Sequence, residues 1–238
     1  MVKIRLAVIA MLILALVTPI SGCGSNESSN ESSKDVMARM MKMIPANTGD
    51  FSFSNFKAYR EDDMLRNLLS EGMQEYSGGT FFDLVDYWGE AHNPNFSLFV
   101  GKFKSLDSVV QFYNSGHQEF RSYYEYRGMT VASGDYYDLA LLEGTCIIAY
   151  SDKVKQCMDI FLDGKPSFYD HSGFKEVLDH LRDGLNMEIL DASSYSEDII
   201  AEGSSTIFVG NGFQTINVTL TKDGNFLERL EFQALPAE

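Results

Sequence analysis

Proline is scarce, 5 residues in 238, and glycine, at 19, is ordinary, which excludes collagen-like and low-complexity readings. Basic residues are outnumbered, 19 against 34 acidic, for a formal net charge of −15. A body this acidic repels phosphate backbones, so no nucleic acid partner is expected. Cysteine is limited to three residues, with no CxxC redox pair. The N-terminal apolar run, Leu6 to Ile20, falls short of the ~20 residues a spanning helix needs. Local signatures of chemistry are missing as well: no GxSxG elbow, P-loop, GxGxxG after a strand, HExxH or EF-hand loop. No cofactor, metal ligand or catalytic residue is therefore singled out. Catalytic groups can converge from distant segments, so the reading leans away from an enzyme without excluding one.

What is present begins at the N-terminus. Lys3 and Arg5 form a short positive region ahead of the apolar run, which ends in Ile20-Ser21-Gly22-Cys23. Aliphatic, small, small, cysteine resembles the lipobox of bacterial lipoproteins. That resemblance implies cleavage before Cys23 and a diacylglyceryl thioether on Cys23, with further acylation (palmitate among the expected chains) at the new N-terminus. Two or more acyl chains hold durably in a bilayer where one does not. The expected location is extracytoplasmic, anchored to a membrane through this lipid; inner against outer membrane stays open, although Gly24 is not the Asp that would suggest inner-membrane retention.

Cleavage would leave 216 residues and, with Lys3 and Arg5 gone and no acid lost, move the formal charge to −17. The segment GSNESSNESS, Gly24 to Ser33, repeats NESS and holds no apolar residue. It reads as a flexible polar tether over 23–34. Residues 35–238 then fit a single extracytoplasmic domain.

Within that domain, Lys34 to Ile44 predicts a helix ending before Pro45, rich in methionine (Met37, Met40, Met41, Met43). Core packing is the expected role of those methionines, ahead of copper(I) binding or membrane contact. Asp50 to Phe56 alternates as a strand, and Arg60 to Tyr76 reads as a helix. Thr80 to Ala91 is ambiguous. Ser97 to Phe103 predicts a strand followed by a helix capped by Ser105, and Arg121 to Tyr150 a meander with turns at Arg127-Gly128, Ser133-Gly134-Asp135 and Glu143-Gly144. Two more helices follow, over Asp152–Leu162 and Ser172–Arg182. Asn211-Gly212 and Asp223-Gly224 then bracket an alternating strand, Thr215 to Thr221. The predicted class is α+β, a mainly antiparallel sheet with helices packed on one face. A strand–cap–helix–glycine order recurs at Ser97–Gly116 and Thr145–Gly164, which hints at a duplicated unit.

The stretches Ile44-Pro45-Ala46-Asn47-Thr48, Arg60-Glu61-Asp62, Ile148-Ala149-Tyr150-Ser151-Asp152 and Phe174-Lys175-Glu176-Val177-Leu178 give the body a loose similarity to uncharacterised exported lipoproteins. That resemblance implies fold and location and carries no activity.

Three constellations are candidates for chemistry. Asp83, Asp86, Glu90 and His92 around the single Trp88 combine carboxylates with imidazole, as a cation site or an acid–base pair would, though their spacing matches no ligand pattern. Tyr123, Tyr124, Tyr126, Tyr136 and Tyr137, with Phe120 beside them, could line a ligand surface, stacking on sugars or apolar groups; cross-strand aromatic pairing is the ordinary alternative. The remaining histidines, His117, His171 and His180, form no triad pattern with a Ser or Cys in sequence, and no role is assigned to them. Cys146 and Cys157, an even pair in an oxidising compartment, are a candidate disulfide or else two buried thiols. The expected function is a non-catalytic module that binds a small ligand or an envelope protein. The alternatives are a metal-assisted envelope hydrolase using the Asp83/His92 region and a structural envelope protein without a small ligand.

Overall fold

The computed structural model describes residues 31–67, 80–92, 95–117, 119–193 and 195–235. The lipobox, Cys23, most of the tether and the second half of the helix predicted over Arg60–Tyr76 lie outside these residues.

Eleven strands form one sheet in the order β11-β10-β9-β8-β1-β2-β3-β7-β6-β5-β4. Every pairing is antiparallel. The centre is β1 (Asp50–Asn55), β2 (Val85–His92) and β3 (Phe96–Gly101). Two four-strand meanders flank it. On one side lie β4 (Phe120–Tyr126), β5 (Met129–Gly134), β6 (Tyr137–Leu142) and β7 (Thr145–Tyr150). On the other lie β8 (Asn186–Asp191), β9 (Ile199–Val209), β10 (Gly212–Thr221) and β11 (Phe226–Ala234). Both residues are at positive φ in the turns Arg127-Gly128 (54° and 79°) and Glu143-Gly144 (44° and 78°), the two-residue geometry whose twist matches antiparallel strands. The meander and these two turns are as the sequence predicts; the third reversal falls at Asp135-Tyr136, because Ser133 and Gly134 stay within β5.

The helices are α1 (Ser33–Met41), α2 (Phe56–Glu61), α3 (Thr80–Leu84), α4 (Leu106–His117), α5 (Ser151–Asp163) and α6 (Phe174–His180). Ser32 caps α1 in a reciprocal box with Asp35, and Asn55 caps α2 through a 2.9 Å bond from the Ala58 N–H. Left-handed Gly164 ends α5.

The α+β class and the antiparallel sheet are as expected, but the helices cover both faces of the sheet rather than one. On the first face α1, α5 and α6 bury Met37, Met40, Val154, Met158, Val177 and Leu178 against Phe51, Phe53, Leu98 and Ile147. On the second, α2, α3 and α4 bury Phe56, Tyr59, Phe82, Val109 and Val110 against Phe99, Leu139 and Cys146. The reason lies in β3 and the strands beside it, β7 and β6, which are apolar at both parities: Leu98 and Phe99 are neighbours in sequence, point to opposite faces, and are both fully buried. The recurring segments β3–α4 and β7–α5 are present, yet they send their helices to opposite faces. All four methionines of the first helical stretch are fully buried, in keeping with core packing.

The same division excludes the Cys146–Cys157 bridge. Both thiols are free and buried, Cys146 in the second core and Cys157 in the first, so the sheet itself separates them. Burial raises both thiol pKa values, that of Cys146 to about 12.

Candidate functional site

The first face is almost wholly apolar; the second changes character across the sheet. Beneath α2–α4 it is aromatic, with Trp88 stacked on Phe99 at 5.7 Å. Toward the His92 end of β2 and across β1, β8 and β9, its outward positions are mostly polar. The register runs Ser97, Glu90, Ser52, Glu188, Ser204, Asn217 straight across six strands, and His92, Asp50, Leu190, Glu202, Thr219 in the next row.

The sequence constellation around Trp88 is partly assembled. Asp86, Trp88, Glu90 and His92 alternate along β2 and share the second face. Asp83 does not join them: it sits on α3, where its backbone carbonyl accepts from Lys102 at 3.0 Å. Asp86 is held by the Arg60 guanidinium, which also donates to the carbonyls of Phe82 and Val85. Glu90 is 8% exposed and accepts from the Trp88 indole; burial raises its pKa above the ordinary 4.5. His92 Nδ1 lies 2.5 Å from Asp50 Oδ1, and that hydrogen bond holds its pKa above 6.5. Among the described residues no three His, Cys, Asp or Glu side chains converge closely enough to hold a metal ion.

Asp50 leads to groups that sequence spacing could not reveal. A cavity of about 590 Å³ opens where β1 begins and β8 ends, walled by Asn47, Thr48, Asp50, His171, Glu188 and Asp191, with Tyr195 at its margin. His171 Nε2 faces Asp191 Oδ2 at 3.6 Å, and Tyr195 donates to Glu202 Oε2 at 2.6 Å. Desolvation, then the charge of Asp50, raises the Glu188 pKa. Among the described residues neither Lys nor Arg lines this cavity. Thr48 is 3% exposed and its hydroxyl has no hydrogen-bond partner among the described residues, an unusual state for a buried polar group. A second cavity of about 540 Å³ shares Ala46 and Asn47 but is lined by both signs of charge, Lys155 and Lys165 with Asp152 and Asp159.

The five candidate tyrosines are not brought to one surface. Tyr123 and Tyr137 stand on the second face; Tyr124 and Tyr126 stand on the first, and Tyr136, 72% exposed, lies in the turn before β6. Tyr124 donates to buried Asp138 and Tyr126 to Asp159 at 3.0 Å, with the Lys155 ammonium 4.7 Å from the Tyr124 ring centre. Tyr137 pairs with Tyr150 across the strands at 5.1 Å. None of the five lines either cavity. Exposed His180 stacks on Phe226.

The acid–imidazole row has a consequence for stability. The folded state binds protons on Glu90 and His92 more tightly than the unfolded chain does. Their contribution is therefore full below the ordinary values and is lost as pH rises through the raised ones. Glu188, whose side chain is exposed to solvent, adds less. The melting temperature should be higher near about pH 5 than near about pH 8. Glu90→Gln should raise the melting temperature more, or lower it less, at the higher pH than at the lower, in paired thermal scans. A variant equally affected at both would remove Glu90 from this account.

No protein-family model and no curated protein matches the chain. Crystal structures of the Treponema protein TP0453 superpose on part of it. One crystal form superposes with TM-score 0.49 at 7% identity, covering 78% of this chain and 80% of that one. Another gives 0.48 at 8% identity, covering 76% and 79%. At that distance nothing about the site follows from them.

Proposed function

We propose that the protein is a lipid-anchored, extracytoplasmic, non-catalytic binding module that takes a small cationic ligand, such as an amine, into the cavity at the β1–β8 end. The observation that carries this reading is the lining of that cavity: among the described residues Asp50, Glu188 and Asp191 converge on about 590 Å³ with no Lys or Arg beside them, and the buried Thr48 hydroxyl has no partner there. Concave sites of this size with a few convergent polar groups are where small ligands bind. The acids favour a cation, and the Asp50–His92 and Asp191–His171 pairs fix the carboxylates in place. The anchor rests on the Ile20-Ser21-Gly22-Cys23 box and the polar segment after it, which would hold the domain in water beside a bilayer.

Mass spectrometry of the full chain extracted in detergent from its own membrane tests both halves of the proposal. Under denaturing conditions the mass should equal the chain from Cys23 onward plus its acyl groups. Under native conditions it should carry an additional small molecule. Asp50→Asn with Glu188→Gln should lose that molecule and keep the lipid. An unlipidated mass refutes the anchor; equal native and denatured masses refute the ligand.

A further inference from the structure

β11 is one edge of the sheet, nine residues long, and from Leu227 to Ala234 every residue is exposed. Leu227, Leu230 and Phe232 are 59–60% exposed, on a strand that pairs with β10 without a register shift. The opposite edge, β4, is interrupted by a register shift between Phe120 and Ser122. A long, regular edge that carries exposed apolar side chains is a template for another strand unless something covers it. Its outward groups can be assigned: the Leu235 N–H bonds to the Asn211 carbonyl at 2.9 Å, so alternation turns the N–H and C=O of Glu228, Leu230 and Phe232 away from β10.

We propose that two copies of this chain pair through β11, antiparallel about a two-fold axis at Leu230, so that the sheet continues from one copy into the other. The occupant follows from the charge order. A two-fold axis normal to the sheet places opposite each other only residues of the same face, so it must pass through a residue and not between two. Centred on Glu228, Arg229 or Glu231, it sets a charge against its own copy. Centred on Leu230, it sets Arg229 opposite Glu231 of the second copy, twice, on one face. On the other face it sets Leu230 against its own copy, with both Phe232 rings beside that pair. Among the described residues Arg229 and Glu231 pair along their own strand, at 3.2 Å, with the Arg229 side chain 79% exposed. The axis at Leu230 also falls on outward-pointing N–H and C=O groups, which two copies exchange as a hydrogen-bonded pair.

Cysteine cross-linking in membranes holding the full chain reads the register. Opposed residues of a hydrogen-bonded antiparallel pair have Cα atoms about 5.5 Å apart, within the span of a disulfide. Leu230→Cys should give a covalent dimer on mild oxidation. Glu228→Cys and Phe232→Cys should each stay monomeric alone and cross-link when the two are co-expressed. Arg229→Glu should weaken dimerisation by at least about tenfold in sedimentation of the detergent-extracted chain, and Arg229→Glu with Glu231→Arg should restore it. Melting temperatures confirm that each variant is folded. The proposal is overturned by a monomer at every concentration, by equal self-cross-linking at 228, 230 and 232, by failure of the charge swap to restore pairing, or by cross-linking of Leu230→Cys to a different protein.

Discussion

Phe99→Ala should destabilise the domain by about 3–5 kcal/mol, which for a chain of this size lowers the melting temperature by about 6–20 °C. Phe99 is fully buried in β3 and stands at the centre of the second core. Its ring meets Trp88 at 5.7 Å, Phe103 at 5.6 Å, Tyr113 at 6.1 Å and Phe81 at 6.4 Å, so one side chain joins β2, α3 and α4. Truncation forfeits the burial of an aromatic ring and leaves a cavity that four neighbouring rings cannot fill without leaving their own contacts. Trp88 is the only tryptophan, stacked on Phe99 with 15° between the ring planes, so its fluorescence reports the same site. Its emission should shift to the red as water enters. Phe99→Leu, which keeps much of the volume, should cost less than about 1.5 kcal/mol and leave the emission near its starting position. Calorimetry and fluorescence check both outcomes; a loss below about 1 kcal/mol for alanine would show that α4 is held mainly by other contacts.

Elements whose signal is local were legible in the sequence. The Arg127-Gly128 and Glu143-Gly144 turns, the Ser105 cap and the alternating strands need only neighbours within a few residues, and each stands where it is expected. The assignment of helices to one face failed because that depends on whether the central strands are apolar at one parity or two. Phe51 and Phe53 in β1 show a single parity, while Leu98 and Phe99 in β3 show both. Segment 80–91 was ambiguous for a physical reason: Thr80–Leu84 is one helical turn running directly into strand β2. The site was legible only along β2. Glu90 and His92 were found because they share that strand, but Asp50, Glu188, Asp191 and His171 reach the same region from three separate segments, and only strand register brings them together. The tyrosines illustrate the reverse. Proximity in sequence suggested one surface, and alternation divided them between two.

Gly89→Val should cost about 3 kcal/mol, and the penalty should fall on the seating of α1. Gly89 is not at positive φ, so its backbone would accept another residue; space is what it provides. A Cβ there would lie 2.4 Å from Phe51 Cζ and 3.0 Å from Met40 Sδ, and both side chains are fully buried. The first helix thus passes directly over the centre of β2 at the one position without a side chain. Its seat is reinforced at either end: Lys34 Nζ donates to the carbonyls of Asp179 and Leu181, each at 2.9 Å, and Arg39 donates to Thr145 Oγ1 at 2.6 Å. Two added methyl groups must displace Phe51 from β1, lift Met40 with its helix, or bend β2, the strand that carries Trp88, Glu90 and His92. Lifting the helix is the least costly, because α1 is nine residues long and touches the sheet along one side only. Amide hydrogen exchange should therefore accelerate in α1 more than in β1 or β2. Met40→Ala vacates the space the valine needs, so the double variant should be less destabilised than the two single penalties added together. Additive penalties, with exchange rising equally in all three elements, would mean that β2 bends instead and that the rows bearing Glu90 and His92 move with it.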